Sequence, residues 1–117
     1  MITLPVLEGI KNNAIDVIAT DHAPHTMEEK LNSYQDCPAG GPLIQHSLPL
    51  LLEMYHNNSI DLETIVTKTS HNPSILFDIK ERGFVREGYF AGLVLFDLNS
   101  SWKVSESKLY SKCNWTP

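Results

Sequence analysis

The stretch IDVIATDHAPHTMEEK, residues 15–30, is the most informative part of this sequence. Residues 15–20 are a short apolar run, which predicts a buried β-strand, and the run leads directly into Asp21, His22 and His25. A carboxylate at the end of a strand is how a parallel α/β barrel presents a catalytic group at its C-terminal face. Asp21 could bind a divalent metal or carry a proton to a leaving nitrogen, although many aspartates at this position only cap the following turn.

Composition excludes several classes of protein. The chain has 117 residues, 42% of them apolar and 20% charged, and a net charge of -5. Nine scattered basic residues do not predict a nucleic-acid interface, and no apolar run predicts a membrane span. Cys37 and Cys113 belong to no paired motif and are expected to be plain thiols. We therefore expect a cytoplasmic protein that binds neither nucleic acid nor membranes.

Around this stretch the pattern alternates between helical and strand-like segments. Residues 4–11 have helical spacing, residues 21–41 lack periodicity, and residues 43–56 predict an apolar helix bent at Pro49. Two further helices are predicted, one capped by Asp61 and one starting with Asn72 as the cap and Pro73 as the first helical residue. The β-rich runs at 83–85, 93–96 and 102–104 predict a small β appendage.

Residues 19–30 also resemble a signature of the dihydroorotases: a small residue, Ser or Thr, Asp, any residue, Ala-Pro-His, four residues and Lys. Its four polar positions are occupied by Thr20, Asp21, His25 and Lys30. The resemblance continues through the Pro38-Ala39-Gly40-Gly41-Pro42 segment and reaches residues 111–117. It implies an α/β fold in which residues 1–80 form the C-terminal part of a metal-dependent-hydrolase (β/α)8 TIM barrel, with its last strand and following helices. Residues 81–117 would then be part of a small β-sandwich appendage.

The activity implied by the resemblance is the reversible, zinc-dependent hydrolysis of the cyclic amide of dihydroorotate to N-carbamoyl-L-aspartate, a step of pyrimidine biosynthesis. Asp21 would ligate one of two Zn²⁺ ions and act catalytically by moving a proton. His25 would bind the substrate carboxylate, and backbone groups near Ala39 and Gly40 would bind the ring amide. The substrate is thus a small molecule, and the full-length protein is a possible homo-oligomer.

The sequence departs from the family pattern at the metal site. A His-x-His pair, a bridging ligand and two further histidines are not found, and His46, His56 and His71 are expected to be packing or surface residues. Gly92 stands where relatives commonly carry Asp. We therefore expect a C-terminal fragment that is inactive alone. Two alternatives stay open: a non-catalytic dihydroorotase-like structural partner, or another cyclic amidohydrolase such as an allantoinase or dihydropyrimidinase.

Overall fold

The computed structural model describes residues 3–105 and 108–117, and the regular structure within them is helical. The α-helices are α1 (Leu4–Lys11), α2 (Met27–Lys30), α3 (Ser47–His56), α4 (Leu62–Val66) and α5 (Asn72–Leu76). A 3-10 turn, Ile44–His46, leads into α3, and a π turn, Thr67–His71, joins α4 to α5. No helix in this part of the chain is long and apolar enough to cross a membrane.

The helix starts follow from local chemistry, with one exception. Asp61 is the N-cap of α4, as predicted, and its Oδ1 accepts a hydrogen bond from the Thr64 N–H at 2.7 Å. Pro49 is the third residue of α3, where no intrahelical donor is needed. Asn72 was predicted to cap the last helix, and this was wrong, because the π turn continues directly into α5. The Asn72 side chain instead donates to the Asp16 carbonyl at 2.7 Å.

The predicted strands are wrong. Residues 15–20, 83–85, 93–96 and 102–104 form no strand in the described chain, whose one β pairing is a parallel bridge between His22 and Gly41. The described residues therefore do not show the end of a TIM barrel or a part of a β-sandwich. A strand exists only where a neighbour completes its hydrogen-bond ladder. Here the Ile18 N–H donates to the Lys68 carbonyl of the π turn at 3.0 Å, and Leu95 is 99% exposed.

The chain divides into two compact units. The first comprises Met1–Ala19 and Leu51–Leu98, and the second comprises Thr20–Leu50 and Asn99–Pro117. The predicted domain boundary at residue 80 is a different division and stays a prediction. The second unit contains every residue that the sequence proposes for catalysis or substrate binding.

The first unit has a small apolar core and one buried cation. Lys68 in the π turn is 1% exposed, and its Nζ donates to Asn13 Oδ1 at 2.9 Å. This bond connects the π turn to the residue that follows α1 by two positions. The core side chains come from four places along the chain, namely Ile10, Leu51, Ile60 and Ile65.

Candidate active site

Asp21 lies at a sharp change in backbone direction. Its φ is +47°, in the left-handed region that aspartate tolerates better than most residues, and it is exposed. Immediately after it, His22 forms the parallel bridge to Gly41, and the Ala23 N–H donates to the Gly41 carbonyl at 3.0 Å. The turn at Asp21 therefore places the start of the motif beside the glycine segment at residues 40–41.

The contact between these two segments requires glycine at position 40. Gly40 has a φ of +90°, and a Cβ at this position would lie 2.7 Å from the Ala23 Cβ and 3.7 Å from the Asp21 carbonyl oxygen. No ordinary Cβ contact is as short as 2.7 Å. The structure thus brings Asp21 and Gly40, two of the predicted site residues, together through their backbones.

Lys30 holds the glycine segment in this position. Its Nζ donates to the Pro38 carbonyl at 2.6 Å and to the Gly40 carbonyl at 3.2 Å. Both acceptors are backbone carbonyls, so Lys30 anchors the loop without an ion pair among the described residues. Ala39 lies between the two anchored residues and is exposed, and its own N–H and C=O have no hydrogen-bond partner among the described residues.

The charged run after His25 contains a helix cap. The Thr26 Oγ1 accepts from the Glu29 N–H at 3.2 Å, and Glu29 Oε2 accepts from the Thr26 N–H at 2.6 Å, which is a complete capping box. The backbone hydrogen bond from Thr26, with the Thr26 hydroxyl second, lowers the pKa of Glu29 below its usual value. A threonine followed three residues later by glutamate is a capping signal that the sequence itself contains.

His25 is oriented mainly through its backbone. Its N–H donates to the Ala23 carbonyl at 2.9 Å, and its carbonyl accepts from the Trp115 indole N–H at 2.7 Å. The ring is one-third exposed, with Nδ1 3.9 Å from Glu29 Oε2. No described contact joins the His25 ring to the Asp21 carboxylate. Trp115 was missed by the sequence analysis, because no local pattern signals a contact between residues 90 positions apart.

His22 has a structural role. Its Nδ1 accepts a hydrogen bond from the Ile44 N–H at 3.2 Å, at the start of the 3-10 turn. Since Nδ1 is the acceptor, the neutral ring carries its proton on Nε2. The side chain is therefore engaged with the segment that follows the glycines.

The other histidines occupy packing and surface positions, as predicted. His46 is buried and stacks on Trp102 with ring centroids 5.5 Å apart, and His71 stacks on Phe84 at 4.3 Å. His56 ends α3, where it is exposed and meets the edge of Tyr55. None of these rings belongs to a group of three or more candidate metal ligands within the described residues.

The donor set does not fit a complete zinc site. Zinc requires three or four nitrogen, sulfur or oxygen ligands, and a single carboxylate such as Asp21 does not hold it. Among residues 3–105 and 108–117, no group of three His, Cys, Asp or Glu side chains is close enough to bind a metal ion. The zinc implied by the sequence resemblance therefore stays a prediction.

Known proteins similar to this chain carry one name repeatedly. The chain is 38% identical over 112 residues to the dihydroorotase of Halobacterium salinarum, covering 96% of this chain and 26% of that protein. It is 38% identical over 105 residues to the dihydroorotase of Methanosphaera stadtmanae, covering 90% of this chain and 24% of that protein. It is also 41% identical over 103 residues to the multifunctional protein pyr1-3 of Dictyostelium discoideum, covering 88% of this chain and 4% of that protein.

The chain spans about a quarter of the length of the single-function relatives it matches. No protein-family model matches it.

Proposed function

Because the chain belongs to the dihydroorotase family, we propose that it supplies the Asp21 loop of an enzyme that hydrolyses the cyclic amide of dihydroorotate to N-carbamoyl-L-aspartate. The observation that carries this proposal is the exposed Asp21, held by its own turn beside the Gly40 segment. The similarity to the relatives covers both segments. The chain matches only a quarter of their length. We therefore propose that the rest of the active site comes from the parts of the complete enzyme that this chain does not match.

Asp21 is the proposed catalytic residue. Hydrolysis adds water to the ring carbonyl and breaks the C–N bond, so one proton must pass from the attacking water to the departing nitrogen. An exposed carboxylate can accept that proton and return it. We also propose Zn²⁺ as the cofactor, with Asp21 as one ligand, because the motif resembles that of zinc-dependent enzymes and the Asp21 carboxylate is exposed.

His25, Ala39 and Gly40 are the proposed substrate-binding residues. The His25 imidazole would donate to the substrate carboxylate, which favours dihydroorotate over neutral cyclic amides. The backbone groups of Ala39, which have no partner among the described residues, would pair with the ring amide. The bonds from Lys30 to Pro38 and Gly40 anchor the segment on both sides of Ala39. Anchored backbone groups are suitable for this task because they need little reordering when the substrate binds.

The proposed setting of the enzyme is the cytoplasm, where the two free thiols, Cys37 and Cys113, would stay reduced. The proposed partner is the small-molecule substrate, and self-association of the complete protein is a further proposal. These assignments rest on the family and the composition.

The test is a chimera in which this chain replaces the matching quarter of the Methanosphaera stadtmanae dihydroorotase. We expect zinc-dependent hydrolysis of dihydroorotate, with allantoin and dihydrouracil as comparison substrates. Asp21→Asn should lower kcat about 100-fold or more, because general acid–base catalysis contributes at least that much. His25→Asn should raise KM about 10-fold or more, because it removes a hydrogen bond to a charged group.

Two substitutions serve as matched controls. Asp36→Asn and His56→Asn make the same chemical changes at an exposed loop carboxylate and at the exposed end of α3. Both should leave kcat and KM within about twofold, as most surface substitutions do. A folded chimera that hydrolyses dihydroorotate equally well with Asp21→Asn would contradict the proposal, and so would a preference for allantoin.

A further inference from the structure

We propose that Trp115 and Lys30 are positioning residues that together fix the backbones of His25 and Gly40. We refer to this pair as the clamp. Trp115 belongs to the segment 111–117 and donates its indole N–H to the His25 carbonyl at 2.7 Å. Lys30 ends α2, and its Nζ lies 5.8 Å from the centroid of the Trp115 ring while it donates to the Gly40 carbonyl. The inference deepens the proposed function and rests on it for its effect on substrate binding.

The clamp joins His25 to the glycine segment through two side chains, Lys30 at the end of the motif and Trp115 far along the chain. The chain of contacts runs from the His25 carbonyl through Trp115 and Lys30 to the Gly40 carbonyl. The Trp115 ring also covers Gly41, where an added Cβ would lie 3.7 Å from its Cη2 atom. The motif and the glycine segment are in addition joined directly, by the Ala23 N–H to Gly41 carbonyl bond.

His25 depends on the hydrogen bond from the Trp115 indole, because few other contacts orient it. No described hydrogen bond fixes the imidazole, which is one-third exposed and whose Nδ1 lies 3.9 Å from Glu29 Oε2. The backbone is held on both sides, by the His25 N–H to Ala23 carbonyl bond and by the indole N–H on the His25 carbonyl. The peptide between His25 and Thr26 is also held at its N–H end, by the bond from Thr26 to Glu29 Oε2. Loss of the indole bond removes the anchor at its carbonyl end and loosens the backbone that carries the ring.

The sharpest test is Trp115→Phe, which keeps an aromatic ring under Lys30 and removes the indole N–H. In the chimera described above, we expect KM for dihydroorotate to rise about 3- to 10-fold, the factor that one hydrogen bond of ordinary strength supplies, with kcat little changed. Trp102→Phe is the matched control, because Trp102 stacks on His46 and makes no described contact with the motif. If Trp115 contributes only to stability, Trp115→Phe should lower the midpoint of unfolding without changing KM, which would contradict the proposal.

A second measurement does not depend on turnover. Hydrogen exchange on the 117-residue chain should show slowed exchange at the Ala23 and His25 amides, since both donate to backbone carbonyls. Trp115→Phe and Lys30→Met should each speed that exchange about 3-fold or more, and Trp102→Phe should not.

The two measurements separate the possible failures. An inactive but folded chimera contradicts the proposed function, while the exchange experiment still tests the clamp. Unprotected Ala23 and His25 amides in the unmodified chain, or the same exchange and KM in Trp115→Phe as in the unmodified protein, would overturn the clamp.

Discussion

Replacement of Gly40 by alanine tests whether close approach to Ala23 holds the site together. Two costs are expected. The left-handed φ of +90° is unfavourable for any residue with a Cβ, by about 1–2 kcal/mol. The new methyl group would also lie 2.7 Å from the Ala23 Cβ, and overpacking of this kind costs about 1–3 kcal/mol. Alanine also lowers the conformational entropy of the unfolded chain, which offsets about 0.4–1 kcal/mol of these costs. The free energy of unfolding should therefore fall by about 2–3 kcal/mol.

Gly88 offers a matched control within the same chain. Its φ is +81°, and a Cβ there would meet nothing within 4 Å. Gly88→Ala therefore carries the backbone cost alone and should lower the free energy of unfolding by about 1 kcal/mol. The excess loss in Gly40→Ala, about 2 kcal/mol, measures the contact with Ala23.

Urea unfolding of the 117-residue chain, followed by tryptophan fluorescence and by circular dichroism, provides the measurement. With a slope of about 2 kcal/mol per molar urea, the excess corresponds to a midpoint about 1 M lower in Gly40→Ala than in Gly88→Ala. Ala23→Gly in the Gly40→Ala background should recover most of the excess, because it removes the atom that the new methyl group meets. Equal losses in the two alanine variants, together with no recovery on Ala23→Gly, would refute the reasoning.

Three further substitutions test other contacts. The pKa of Glu29 is lowered in the folded chain, so its contribution to stability is present above the ordinary carboxyl range and is lost as the pH falls through the lowered value. Glu29→Gln should remove this pH dependence when the free energy of unfolding is measured across the acid range, and Glu28→Gln should leave it unchanged. Lys68→Met should raise the free energy of unfolding by about 1 kcal/mol because it removes a buried cation while the exposed Asn13 can bind water, and a decrease in thermal or urea stability would contradict this. Gly92→Asp should add about 0.5 kcal/mol relative to Gly92→Asn, since a Cβ there lies 3.6 Å from an Arg82 guanidinium nitrogen, and the gain should disappear in high salt.

Several features of the fold were predictable because they depend on a few adjacent residues. The helix at residues 4–11 and the Asp61 cap were both predicted and confirmed. The capping box at Thr26 and Glu29 could also have been predicted from the sequence, but it was not. Caps and helix starts are made from hydrogen bonds that span three or four residues, so the sequence contains both partners.

The strands could not be predicted in the same way. The run at 93–96 has the side chains of a strand, yet all four residues are exposed and form no strand. A β-rich run indicates which residues are suited to a strand. The hydrogen-bond ladder of a strand also requires a second segment in register. In residues 15–20 the backbone bonds to the π turn and to the Asn72 side chain took the place of a neighbouring strand.

The local sequence was sufficient to locate Asp21 and His25 and to identify the family, because the motif is contiguous and its residues are twelve positions or fewer apart. The folded chain was needed to show that Gly40 contacts Ala23, that Lys30 bonds to carbonyls, and that Trp115 holds His25. Contacts of this second kind form between segments separated by up to 90 residues. They depend on how the whole chain closes on itself, and no local preference for a backbone conformation specifies that closure.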